Sequence, residues 1–307
     1  MSTALFTHPA CLGHDAGPWH PERPERLRAV LAALEGEEFA PLLREVAPEA
    51  SPEQLALAHP AEYVAAILEI RPTPGETVSL DADTVMSAGS AAAARRAAGG
   101  AIAAVDAVLG GWARTAFAAV RPPGHHAEPS RPMGFCLFNN VAVATRWARH
   151  RWGKRRVAVV DFDVHHGNGT QAMFGPDADL FYGSSHQSPC YPGTGGARET
   201  GVADNVVNAP LAPGSDGAAF RDAWSRQIIP ALAAFGPELL IVSAGFDAHK
   251  ADPLAELRLE TADFAWITGA LLEVAGGRLV SVLEGGYDLN ALAASAAAHV
   301  RVLMGAG

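Results

Sequence analysis

Short, nearly unbroken runs of apolar residues punctuate this chain, and stretches of helical periodicity separate them. Residues 157–160 (Val-Ala-Val-Val), 239–243 and 279–283 are such runs, rich in β-branched side chains. A strand with one face in water alternates apolar and polar positions; a run without alternation is buried on both faces, as in a parallel sheet. Residues 4–7 and 115–120 read as two further strands. Between them, Pro24 suits the first turn of a helix whose Leu27, Val30, Leu31 and Leu34 share one face. An Ala-rich helix over about 87–109 stops at Gly110-Gly111, and Asn139 or Asn140 caps a helix through Trp147 to Gly153. Phe264, Ile267 and Leu271 form the stripe of another helix. Buried strands alternating with amphipathic helices predict an α/β fold: a central parallel sheet with helices on both faces. No linker, repeat or low-complexity tract divides the chain, so residues 1–307 are expected to form a single domain.

The residues just beyond each apolar run carry the chemistry. The run at 157–160 continues as Asp161-Phe-Asp163-Val-His165-His166-Gly167. If the extended backbone reaches His165, then Asp161, Asp163 and His165 fall on one face. The run at 115–120 leads through Arg-Pro-Pro-Gly to His125-His126, the run at 239–243 to Asp247, and the run at 279–283 through Glu284-Gly-Gly to Tyr287. Parallel strands point the same way, so these termini can converge at the C-terminal edge of the sheet, where ligands bind in open α/β folds. Asp163, His165 and Asp247 can then ligate one Zn²⁺ and leave a position open for water. A histidine beside that water can shuttle its proton, Tyr287 can donate to an oxyanion, and Asp161 can orient a histidine. An isolated Asp-x-His is more often a strand cap with surface polar residues; three further strand ends of matching chemistry argue against that here.

Composition narrows the class without changing it. The chain of 307 residues is 49% hydrophobic and 18% charged, ordinary for a globular protein with ample core. Its net charge of −10 argues against a nucleic-acid partner, which requires a basic footprint. Three cysteines, Cys11, Cys136 and Cys190, form no disulfide framework and suit a reducing compartment. Neither a signal peptide nor a membrane-length apolar stretch is seen. The expectation is a cytoplasmic protein with no membrane partner. Cys136 reads as a buried small hydrophobe, and His20, His59 and His186 as structural residues.

Five segments in order resemble the zinc-dependent histone deacetylase family, above all its class II members and their bacterial deacetylase and acetylpolyamine amidohydrolase relatives. They are Arg121-Pro-Pro-Gly-His-His-Ala-Glu-Pro, Gly134-Phe-Cys-Leu-Phe-Asn-Asn, Asp161-Phe-Asp-Val-His-His-Gly-Asn-Gly-Thr-Gln, Ser243-Ala-Gly-Phe-Asp and Leu283-Glu-Gly-Gly-Tyr. The resemblance runs from His20 to the C-terminus, nearly the whole chain, and implies the single-domain arginase/deacetylase-type fold. It implies Zn²⁺ on Asp163, His165 and Asp247, with His126 the main general base and acid. His125 would give electrostatic support against Asp161, Asn168 would orient the second histidine, and Tyr287 would be the oxyanion donor. Gly134, Phe135, Tyr191 and Leu254 would line the substrate tunnel; family members usually carry Phe where Tyr191 falls. Arg26 matches an arginine of an internal product channel. A potassium ion (K⁺) is implied at backbone carbonyls of Asp161, Asp163 and His165 and near Ser184 and Ser185.

The expected activity is removal of an acetyl or short acyl group from an acylated lysine peptide or a small acylated amine. An acetylpolyamine amidohydrolase is the alternative within the class, and a non-catalytic acyl-lysine-binding protein the alternative outside it; retention of every catalytic group favours the enzyme. An arginase-like two-manganese site is disfavoured, because Gly167 and His249 stand where a second ion needs carboxylates. Leu254, where the polyamine-selective enzyme of the group carries Glu, points to peptide-like substrates. A homo-oligomer is compatible with all of this.

Overall fold

In the computed structural model, which describes residues 2–305, the apolar runs become adjacent strands. The strands are β1 (Thr3–Thr7), β2 (Leu43–Val46), β3 (Thr77–Ser79), β4 (Val85–Ser87), β5 (Thr115–Ala118), β6 (Val157–Asp161), β7 (Leu180–Gln187), β8 (Val206–Leu211), β9 (Leu239–Ala244) and β10 (Leu279–Leu283). Eight of them form one sheet in the order β2-β1-β5-β10-β9-β6-β7-β8, and every pairing in it is parallel. β3 and β4 form a separate antiparallel hairpin. Helices cover both faces. Thr115 hydrogen-bonds the helix Leu289–Leu303 through Leu303, and Phe117 packs its ring on His299 of the same helix. Ala118, of opposite parity on β5, lies beside Gly100 of the helix Ser90–Leu109. This is the period-two alternation of a strand buried on both sides.

The chain fills this sheet out of order. It runs outward to β2, returns to β5, jumps to β6 and continues to β8, and only then inserts β9 and β10 between β6 and β5. The four strands whose ends carry the chemistry, β5, β10, β9 and β6, therefore lie side by side in the middle. Chain reversals of this kind open the crevices in which α/β proteins bind ligands.

Several boundaries differ from the sequence expectation. The Ala-rich helix begins at Ser90 instead of residue 87, because 85–87 pair with β3 and the Ser90 hydroxyl accepts the Ser87 N–H. β6 ends at Asp161, so the extended backbone does not reach His165. Carboxylates take over the backbone donors there: Asp163 N–H donates to Asp161 Oδ1 (3.1 Å), Val164 N–H to Asp247 Oδ1 (2.8 Å) and His165 N–H to Asp163 Oδ1 (2.9 Å). Side chains that bond nearby main chain compete with the ladder and turn the strand end into a loop. Asn139 is the cap of the helix Asn140–Trp152, accepting from Ala142 N–H, and Gly153 ends that helix in the left-handed conformation.

Candidate active site

The loops after β6 and β9 bring three ligand-type groups together. Atoms of Asp163, His165 and Asp247, all buried, lie within 4.8 Å of one another. His165 Nδ1 sits 3.1 Å from Asp163 Oδ1 and 3.2 Å from Asp247 Oδ2. Tetrahedral ligands about 2.0–2.2 Å from a zinc ion would be about 3.3–3.6 Å apart, so the donor set fits. Each carboxylate is also held from outside: Asp163 Oδ2 accepts Gly285 N–H (2.8 Å), and Asp247 Oδ1 accepts Val164 N–H. Burial raises Asp247 to about 7, with Asp163 adding to it. Burial also works against charge on His165, but hydrogen bonds to Asp163, Asp247 and Cys190 raise it well above the usual imidazole value. Carboxylates and an imidazole that compete for protons in a dry pocket are what a divalent cation relieves.

The histidine pair arrives on the loop after β5, the two rings 4.0 Å apart. His125 Nδ1 lies 2.9 Å from Asp161 Oδ2, and burial is outweighed by Asp161 first, then Asp163 and Glu284, raising His125 to about 10. His126 is driven the other way. Burial first, then His125 and His165, put it well below the usual value. Its Nδ1 is 2.9 Å from Asn168 Oδ1, and the Asn168 amide nitrogen is spent on Glu128 Oε1. Asn168 therefore presents an acceptor, which puts the His126 proton on Nδ1 and leaves Nε2 its lone pair.

Tyr287 follows Gly285 and Gly286, positions without room for a side chain. A Cβ on Gly285 would stand 2.0 Å from Asp247 Oδ2, and Gly286 has φ +124°. Burial raises the Tyr287 phenol well above its ordinary pKa, so it stays a donor. Its ring lies against the Arg26 guanidinium (4.7 Å) and edge-on to Phe135 (5.9 Å). Arg26, fully buried, donates to the carbonyls of Gly286 and Glu284 and to Glu22. Asp83, His126, Gly134, Phe135, His165, Tyr191, Leu254 and Tyr287 line a cavity of about 230 Å³. Phe135 has φ +68°; its N–H donates to Thr84 Oγ1, and Gly134 N–H donates to Asp83 Oδ1. Tyr191 is edge-on to His126 at 5.1 Å. Ser184 and Ser185 are buried on β7, where Ser184 pairs in register with Asp161.

The residues singled out in the sequence thus meet in one place, but several of their partners were not foreseen. Glu284 Oε2 accepts from Gly124 N–H (2.6 Å) and His125 N–H (3.2 Å), fixing the backbone that presents both histidines. Glu22 takes Arg121 and Arg26 in a fully buried network. Tyr182 donates to Asp161. A charged residue directly after a buried apolar run was the available signal for Glu284; nothing local marks Glu22 or Tyr182. His20, His59 and His186 are each hydrogen-bonded to backbone or a serine, as structural histidines are. Cys136 is buried and donates to Gly134 O.

Fold and site together define a parallel α/β protein in which a buried Asp-His-Asp group that could hold a metal ion adjoins a cavity lined by a histidine and a phenol. A histone deacetylase domain model matches residues 20–303. A histone deacetylase-like amidohydrolase of Pseudomonas aeruginosa is 42% identical over 93% of this chain and 82% of its own length. A probable deacetylase of Methanothermobacter thermautotrophicus is also 42% identical, over 93% of this chain and 86% of its own. The crystal structure of the HDA15 HD domain superposes with a TM-score of 0.93 at 38% identity, covering 99% of this chain and 88% of that one. The chain belongs to the histone deacetylase family.

Proposed function

We propose that the protein is a zinc-dependent deacetylase that hydrolyses N-acetyl-lysine-type amides. The observation that carries this is the cluster of Asp163, His165 and Asp247, whose His165 lines one cavity together with His126 and Tyr287. Zinc bound by Asp163, His165 and Asp247 would supply a Lewis acid that acidifies water and polarises the acyl carbonyl. His126 Nε2 takes the proton of the attacking water and later returns it to the leaving amine, with Asn168 fixing its tautomer. His125, held against Asp161, acts as a fixed positive charge beside the reacting atoms. The Tyr287 hydroxyl donates where negative charge develops on the acyl oxygen. Phe135 and Tyr191 give the extended acyl-lysine chain aromatic walls, Gly134 gives it clearance, and Arg26, packed behind the Tyr287 ring, would meet the acid product if it leaves through the interior. Potassium at the carbonyls of Asp161, Asp163 and His165, near Ser184 and Ser185, would stiffen the β6–β7 edge of the site.

A second reading, hydrolysis of acetylated polyamines, draws on Asp83, which puts a carboxylate at the tunnel mouth. One experiment tests both. Acetyl-lysine peptide, acetylputrescine and acetylspermidine are compared on the zinc-loaded protein with and without chelator. Chelator-sensitive turnover of the peptide above the polyamines is the expected result; absence of turnover on all three overturns the enzyme reading.

A further inference from the structure

We propose that Asp252 is the positioning residue for the Tyr287 oxyanion donor, an inference that rests on the hydrolase reading above. Asp252 lies on the loop after β9, in Asp247-Ala-His-Lys-Ala-Asp-Pro-Leu254, and is 7% exposed. Its carboxylate reaches across to the loop after β10. Oδ2 accepts Tyr287 N–H (2.7 Å) and Asp288 N–H (3.3 Å), and Oδ1 accepts Leu254 N–H (3.0 Å). Three backbone donors on one buried carboxylate make a clamp, because each bond to a charged acceptor is stronger than a neutral one.

Its placement matters because of what precedes Tyr287. Gly285 and Gly286 carry no side chain of their own, and Gly286 is already at φ +124°, so the segment is held from outside, the Gly285 N–H by Asp163 and the Gly286 carbonyl by Arg26. Arg26 and Phe135 lie against the Tyr287 ring, and Arg26 also holds the carbonyl of the Gly286–Tyr287 peptide, but neither takes the Tyr287 N–H. Asp252 holds its backbone, and through Asp288, which caps the helix Leu289–Leu303, it fixes the start of that helix as well. The same carboxylate turns Leu254 into the tunnel wall. A donor that serves the transition state must stand about 2.7–3.1 Å from the developing oxyanion. Displacement of about 1 Å costs on the order of 10²-fold in rate.

Asp252→Ala should lower kcat about 10- to 100-fold, leave KM and zinc content near wild type, and weaken binding of a trifluoromethyl ketone peptide that hydrates to a tetrahedral form. The decisive measurement is a cycle with Tyr287→Phe. With the hydroxyl gone, Asp252→Ala should cost less than about threefold more, since the two residues act as one unit. Multiplicative losses in the cycle overturn the inference, because a merely structural role slows both backgrounds alike. Asp252→Asn retains the volume but offers one acceptor oxygen to three donors. It should show an intermediate loss, and it carries the same cycle if the alanine variant does not fold. A crystal structure of either variant adds an arm independent of turnover: Tyr287 should leave its place beside Arg26, and an unmoved Tyr287 overturns the inference. If the wild type hydrolyses no acylated amine, the hydrolase reading fails while this structural arm still decides the role of Asp252.

Discussion

At the scale of single residues, two histidines of identical chemistry are set to opposite tasks by their partners. His125 faces the carboxylate of Asp161 and is held charged; His126 faces the amide of Asn168, is buried beside two other imidazoles, and is held neutral. His126→Ala should therefore cut kcat by about 10²-fold or more, as should Tyr287→Phe, which removes a donor made useful only by transition-state charge. Bound zinc, measured on the purified variants, should stay near one per chain in both, since neither residue is a ligand. Leu254 carries the specificity prediction. It lines the tunnel as an apolar wall, so acyl-lysine peptides should be better substrates than acetylspermidine, and Leu254→Glu should shift the ratio of kcat/KM values toward the polyamine by supplying a counter-charge. An unchanged ratio with lowered stability would show that Leu254 only packs.

At the scale of elements, the site is made of strand ends and the loops that leave them, and those loops have no spare volume. A Cβ on Gly285 would meet Asp247 Oδ2 at 2.0 Å and Asp163 Oδ2 at 2.5 Å. Gly285→Ala must push a ligand carboxylate aside while β10 stays in the sheet. Zinc affinity, followed by competition with a chromophoric chelator, should fall about 10- to 100-fold, with far-UV circular dichroism unchanged. Legibility divides along the same line. β9 and β10 declared themselves as apolar runs, but β7 did not, because its Gly183, Ser184, Ser185 and His186 look like a loop in sequence. They are buried nonetheless, the Ser184 hydroxyl on His186 and the Ser185 hydroxyl under Trp224 Nε1, and pairing with β6 and β8 decides their conformation.

At the scale of the whole molecule, buried neutral histidines make the fold sensitive to acid. His299, on the helix Leu289–Leu303 and facing the helix Thr261–Val274 and the sheet, has both ring nitrogens used, by Thr268 and Ser281, and burial lowers it to about 3. Burial likewise lowers His59 and His186 to about 4. The unfolded chain takes up these protons at the ordinary value near 6.5 and the folded chain does not. Their contribution is fully present above that value and is lost as pH falls toward 4 and then 3. Each group adds a slope of roughly 1.4 kcal/mol per pH unit inside its window. Asp247 and Glu284, raised by burial to about 7, act in the opposite direction over the same range, so the test is a difference between variants. In urea titrations from pH 7 to pH 4.5, stability of His299→Gln should fall less steeply with pH than that of the wild type, even if it is lower at pH 7. An unchanged slope in that variant would mean that His299 titrates normally.

Local sequence was enough to bring forward residues that meet at the candidate site and to indicate the parallel sheet that presents them, because both signals are short-range. A buried strand shows in four or five consecutive residues, and each strand's ligand or acid–base group comes within a few positions of its end. Which group completes which was settled only in the folded chain. Glu284 meets Gly124 across 160 positions, Arg121 meets Glu22 across 99, and Asp252 meets Tyr287 across 35. The first depends on β10 inserting beside β5, the second on β5 returning to pair with β1, and the third on β9 and β10 lying side by side, choices of strand order that burial of whole surfaces makes and no short segment encodes.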